Sequence, residues 1–364
     1  MNRPLLSLLL LIIPVSLFAQ FTPKPDWRFE NFNSQNHFTN RGTSNVCMDK
    51  YGYIWTSNDG IQRFDGYKMV EYNSFTQLPG SLRSNYTDVT TDRSGQLWVY
   101  SQGVCYYDYA SGKFVYLKQD AAHTITDVNA WLQQNDYLWF VCDFGLARLD
   151  TRTHKIIFTS LSKITDPLFS FLVDDNTLLI SSREKIYIYH IKENTFTTHV
   201  LISDNALLKV FGISKNGSGI FLATNNGLFE IKDINSLASP VKKSESITIN
   251  DLVFLPQDKE RKYLFMATEG KGLLVYNTIS GKIEYTYVHD DNNPYSLSSS
   301  IISRFFVDQK ERLWMATDRG VSMLDVSNPQ MKMRFLSKKN SEELGINKVA
   351  RDKYDSTRVW MSSY

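Results

Sequence analysis

The 364-residue chain is 42% hydrophobic and 13% aromatic, enough apolar surface for a large buried core, and its net charge is only +2. Lys and Arg are scattered along it, which excludes the basic patch of a nucleic-acid-binding protein. The aromatic share, led by 22 Phe and 20 Tyr, suits pleated sheet better than a helical bundle.

In chain order, Arg3, the apolar run over 5–18 and Leu17-Phe18-Ala19 before Gln20 read as a signal peptide covering residues 1–19. The run is short for a membrane span, so an uncleaved anchor is the alternative reading. No Cys follows it, against a lipoprotein anchor, and no second apolar span appears. The chain therefore reads as exported and otherwise soluble. Three cysteines (Cys47, Cys105 and Cys142) are an odd number for an exported protein, and two of them fall beside predicted strands. They read as small buried hydrophobes rather than a disulfide framework.

From Asp49 onward one sentence is rewritten along the chain. Asp49-Lys-Tyr-Gly52-Tyr-Ile-Trp55 leads to Gly60 and Asp65, and Asp92-Arg-Ser-Gly95-Gln-Leu-Trp98 leads to Gly103 and Asp108. The Trp55 slot recurs at Trp98, Trp139, Leu179, Phe221, Phe265, Trp314 and Trp360, every 40 to 49 residues. That is the period of propeller blades. In the first unit, strands are predicted over 45–48, 53–57, 61–64 and 69–72. The Asp-x-x-Gly turn suits the first hairpin, and Asp65-Gly66, Ser111-Gly112-Lys113 and Ser280-Gly281-Lys282 suit the last one. The expected fold is an all-β, seven-bladed propeller of four-stranded antiparallel blades. A β-solenoid is the main rival, with usually shorter repeats. The Trp slot reads as a ring wedged between blades; its replacement by Leu179, Phe221 and Phe265 argues for volume over a sugar-stacking contact. The fourth copy is the most degenerate, with Arg183-Glu-Lys185 at the Gly turn and His190 at the closing Asp. Residues 27–32 are expected to add a strand somewhere in the ring. The domain expectation is a propeller over 20–340 and the start of a further blade over 341–364. Ending in mid-blade reads as the front part of a longer protein or a truncated gene product.

At these residues the sequence resembles the two-component regulator propeller repeat, roughly Asp-x-x-Gly-x-Leu-Trp-x-x-Thr-x-x-Gly-Leu-x-x-Tyr-Asp, best kept over 49–65 and 308–325, with Thr317 in place. The linkers Leu78-Pro-Gly-Ser-Leu82 and Asn292-Asn-Pro-Tyr-Ser-Leu297 resemble it too. The resemblance is to the sensor region of Bacteroides-type hybrid two-component systems. It implies a periplasmic sensor whose full-length form, in the inner membrane, carries two propellers, a small β-sandwich, a membrane span and a histidine kinase. It also implies oligosaccharide ligands and a homodimer in the full-length form. No kinase motif stands in this chain.

For chemistry, the six histidines include no His-x-x-x-His pair, and neither a Gly-x-Ser-x-Gly elbow nor a phosphate-binding loop is present. No cofactor, metal or catalytic residue is therefore expected, and no nucleic-acid partner. Propeller topology places the loops between the second and third strands (b–c) with those leading into the first strand (a) on one face. The b–c loops change chemistry from blade to blade, which singles out Asn58, Asp59, Asn225, Asn226, Glu269, Asp318 and Arg319 as ligand-binding candidates. Asn45, Asp88, Asn129 and Arg304, at the start of strand a, come next. The alternative function is a secreted propeller enzyme, a lyase or glycosidase, using channel carboxylates such as Asp59 or Asp318. A quinoprotein is more distant, because that family's docking tryptophans are missing.

Overall fold

The computed structural model describes residues 21–33, 42–57, 60–72, 87–100, 103–117, 125, 128, 130–142, 145–160, 164, 166–203, 206–327, 346–351 and 359–363. The chain divides into two compact units, Met1–Asn328 and Pro329–Tyr364. The first holds seven four-stranded antiparallel sheets, which are the blades of a propeller. The first blade comprises Asn45–Met48, Ile54–Ser57, Ile61–Phe64 and Met69–Tyr72, so strand b starts at Ile54 rather than at Tyr53. The inner strands a of the other blades are Asp88–Thr91, Ala130–Gln134, Pro167–Asp174, Val210–Lys215, Ile249–Phe254 and Ile302–Val307. The second unit pairs Ile346–Arg351 with Val359–Ser363.

The aromatic slot does what its volume suggests. Trp55, Trp98, Trp139 and Trp314 are buried, each in a core shared with the following blade. Trp55 meets Tyr107 of the second blade edge-on at 5.0 Å, and Trp314 stands against Val46 and Phe64 of the first, so the ring closes. The Asp of the a–b turn has a second task that turn chemistry alone does not predict. Asp49, Asp92 and Asp308 each accept the indole N–H six residues on, at 2.7, 2.8 and 2.9 Å. Each also accepts two backbone N–H groups of its own turn, as Asp92 does from Ser94 and Gln96. Trp139 lacks an Asp in that place and uses Gln134 at 3.0 Å. The left-handed residue of the turn is Gly52 or Gly95 in two blades, but Arg261 (φ 49°) and Glu311 (φ 60°) hold it in two others.

The seventh blade is completed from the other end of the chain. Its strands Ile302–Val307, Leu313–Thr317 and Gly320–Leu324 receive Glu30–Phe32 as their outer strand, with Asn31 opposite Ser322. A side chain on Gly320 (φ 105°) would run into the Phe32 carbonyl, so the glycine makes room for that strand. Trp27 stacks at 5.6 Å on Tyr287 and 5.9 Å on Phe265, and Tyr287 donates its hydroxyl to the Lys24 carbonyl. The expected strand within 27–32 therefore exists, and its place is the seam between the last blade and the chain start. The family-like linker is used here as well: Asn31 donates to the Ser296 carbonyl and accepts from Ser322, which bonds Ser298. All three cysteines lie within strands as buried thiols.

The c–d turns carry a pH dependence. Asp65, Asp108 and Asp150 accept turn donors: Asp65 from the N–H groups of Lys68 and Tyr67, Asp108 from the Ser111 hydroxyl and the Ala110 N–H, Asp150 from the N–H groups of Thr153 and Arg152. These bonds hold all three carboxyls below the ordinary carboxylate value. A lowered folded-state pKa means stability that is present above about pH 4 and lost as pH falls through the depressed values. Thermal melts from pH 5 to pH 2 should fall less steeply in the Asp65→Asn, Asp108→Asn, Asp150→Asn triple variant than in the parent. An equal slope would contradict this.

Candidate functional site at the b–c face

The b–c turns of the fourth to seventh blades are built on one frame. Thr224, Thr268 and Thr317 donate their hydroxyls to the carbonyls of Gly227, Gly272 and Gly320 at 2.7–2.9 Å, and accept a backbone N–H from inside the turn. Ser182 makes the same pair of bonds in the fourth blade, with Lys185 in place of glycine. The frame fixes the backbone, and the two or three residues between its ends are presented outward.

Of the sequence candidates, Asn225, Glu269, Asp318 and Arg319 are exposed and Asn226 is half-buried. Asn58, Asp59 and Asn129 lie outside the described residues. Each described turn is tied to its own blade or to the loop beside it. Asn225 accepts the Lys209 N–H at 2.8 Å, and Asn226 accepts from the Lys242 ammonium at 3.1 Å. Glu269 accepts from Asn250, whose amide also reaches the Ile302 carbonyl of the next blade. Arg319 meets His289 at 3.3 Å. The Asp318 carboxylate has no hydrogen-bond or ionic partner among the described residues. No bond joins one b–c turn to another among those residues, so the structure does not bring these candidates into a single cluster.

The start of strand a is different, because there the blades do meet. Asn45 lies opposite Ser57, Asp88 opposite Tyr100 and Ile302 opposite Thr317, which puts these residues at the same face as the b–c turns. In the fourth to seventh blades the register of strand a shifts beside Phe169, Gly212, Asp251 and Arg304. Such irregularities re-aim side chains. Arg304 of the seventh blade reaches across to the fifth, donating to the Phe211 carbonyl at 3.2 Å, and its guanidinium stands 5.6 Å over the Phe169 ring of the fourth. Asp88 accepts from Ser57 at 2.6 Å and from Tyr100 at 3.1 Å, and Asn45 donates to the Val89 carbonyl. Burial and the Asp88 charge push the Tyr100 phenol well up. Asp251 accepts the N–H groups of Leu252 and Phe305 at 2.8 and 2.9 Å; removal from water raises its carboxyl, with the Arg304 charge and those two donors pulling the other way. Asp251, Phe169 and Tyr100 are the members that sequence reasoning missed.

No protein-family model matches the chain. A curated relative, histidine kinase P4 of Formosa agariphila, is 25% identical over 154 residues, covering 40% of this chain and 10% of its own length. Among solved structures, the extracellular domain of B. thetaiotaomicron BT3049, described as a hybrid two-component system, superposes with a TM-score of 0.67 at 19% identity over 92% of this chain. The chain has the fold of these extracellular propellers. It spans about a tenth of the curated relative and 46% of that solved domain. Virginiamycin B lyase of Staphylococcus aureus shares the architecture at 13% identity and a TM-score of 0.59, covering 82% of this chain and 99% of the lyase. The extracellular domain of a two-component system and a lyase thus share one architecture, and function has to be argued from the site. No helix among the described residues is long and apolar enough to cross a membrane.

Proposed function

We propose that this propeller is the periplasmic ligand-sensing region of a hybrid two-component regulator. It binds an oligosaccharide on the face that carries the b–c turns, and a kinase in the rest of the full-length protein reads the binding. The observation that carries this reading is the turn frame, which keeps one geometry in the fourth to seventh blades while presenting different polar residues in each. Such a surface supplies directional hydrogen bonds over an area wider than one sugar. The likeness to extracellular propellers of two-component systems supports it. Export through a signal peptide over 1–19, a second propeller and β-sandwich as partners, and a homodimeric full-length form belong to the same proposal. The enzyme reading gains less support: Asp88 and Asp251, the strand-a carboxylates at this face, are both committed to protein donors.

Calorimetric titration of the chain with a panel of plant and microbial oligosaccharides tests this. At least one should bind, and Asp318→Ala, which removes a side chain without a hydrogen-bond or ionic partner among the described residues, should weaken it about three- to tenfold with an unchanged melting temperature. Release of shortened products from the same panel, or no binding by any member, would overturn the sensing reading.

A further inference from the structure

The guanidinium of Arg304 occupies an unusual position for a cation. It is half-buried at the inner strands, yet it makes no ion pair among the described residues. A charge withdrawn from water normally finds a counter-charge, because desolvation is costly. Here one carboxylate, Asp251, is close enough to feel the Arg304 charge, yet the two make no hydrogen bond or ion pair. Both Asp251 oxygens are taken by backbone N–H groups, and Asp88 is taken by Ser57, Val89 and Tyr100. Among the described residues Arg304 is left with one acceptor, the Phe211 carbonyl, and the ring of Phe169. Arginine carries five N–H donors in a planar fork that matches an oxyanion. Most of that fork is unspent.

Phe169 and Phe211 stand beside it, from the fourth and fifth blades, and Gly212 follows without a side chain. The position therefore combines an aromatic ring with an open donor fork. That is the pairing by which a sugar ring is gripped: its C–H face on an aromatic ring, its polar edge on directional donors.

We infer that Arg304 is the anchor for an oxyanion substituent, carboxylate or sulfate, on an acidic oligosaccharide bound at the strand-a end of this propeller. This rests on the sensing reading above and adds the chemical class of the ligand. The Phe169 ring lies 5.6 Å from the guanidinium and the Phe211 carbonyl takes one of its N–H groups, so the anion meets a prepositioned donor pair. Arg304 thereby selects among glycans, while the b–c turns read the neutral hydroxyls around the anchor.

The test is a glycan array holding uronic-acid oligosaccharides, sulfated oligosaccharides and neutral oligosaccharides of matching length, probed with the chain and with Arg304→Gln and Arg304→Lys. Calorimetry on the strongest ligand and a melting curve for each variant complete it. The expected result is retention of acidic members, with affinity reduced about ten- to hundredfold in Arg304→Gln and less in Arg304→Lys, while both variants keep the parent melting temperature. Binding by carboxylated members alone or sulfated members alone identifies which oxyanion is taken. Neutral glycans bound equally by the chain and Arg304→Gln would overturn the anchor and leave the sensing reading standing. A melting temperature that falls in Arg304→Gln with acidic-glycan affinity unchanged would make Arg304 a cross-blade tie and overturn the anchor as well. No glycan retained by a folded chain would overturn the sensing reading itself.

Discussion

Trp27→Ala should destabilise the propeller by about 3–5 kcal/mol, although residue 27 lies far from the repeats in sequence. The indole is 7% exposed and fills the seam between the sixth and seventh blades, stacked on Phe265 and Tyr287. Phe29, 2% exposed, packs edge-on against the same Tyr287. The strand that follows supplies the outer edge of the seventh blade, and Asn31 joins it to Ser296 and Ser322. Domains of this kind are held by about 5–15 kcal/mol in total, so deleting residues 21–33 should leave no folded ring. Urea denaturation of Trp27→Ala, with far-ultraviolet dichroism of the deletion, checks both. A loss under 1 kcal/mol for Trp27→Ala would mean that the seam closes without the chain start.

The second large effect is on the Asp–Trp pairs. Asp92→Ala should cost about 3–4 kcal/mol, because it strands the Trp98 indole N–H together with the backbone N–H groups of Ser94 and Gln96. Asp92→Asn keeps one acceptor oxygen and should cost about half as much. The fourth blade provides an internal control. Leu179 fills the ring slot there, and Asp174 is exposed and accepts only the Asn176 N–H, so Asp174→Ala should stay within about 0.5 kcal/mol. Chemical denaturation of the three variants measures the difference. Equal costs at Asp92 and Asp174 would show that the indole bond contributes nothing.

These pairs also mark the limit of what could be read from the residues alone. Period-two strands, glycine turns and a recurring aromatic slot made the blades legible, because each is a local rule repeated from blade to blade, most faintly in the fourth. The Asp–Trp bond was within reach: both residues stand six apart at 49 and 55, 92 and 98, and 308 and 314, and Asp174 gains no indole where Leu179 replaces Trp. Turn chemistry was a sufficient reason for the Asp, so the second reason went unseen. The meeting of Arg304 with Phe169 was out of reach. The two residues lie in the seventh and fourth blades, and both sit beside register shifts that break the alternation by which strand side chains are assigned to faces. At the b–c turns the sequence located the variable residues, and the structure adds that Asn225, Asn226 and Glu269 are already partly engaged while Asp318 is not.

The most direct measurement is hydrogen–deuterium exchange on the chain with and without a bound oligosaccharide from the calorimetric panel. The account predicts added protection at the b–c turns around Asn226, Glu269 and Asp318 and at the start of strand a around Asp251 and Arg304. The a–b turns at Asp49, Asp92 and Asp308, on the opposite face, should exchange as before. Protection confined to the a–b turns, or none at either face with ligand saturating, would contradict it.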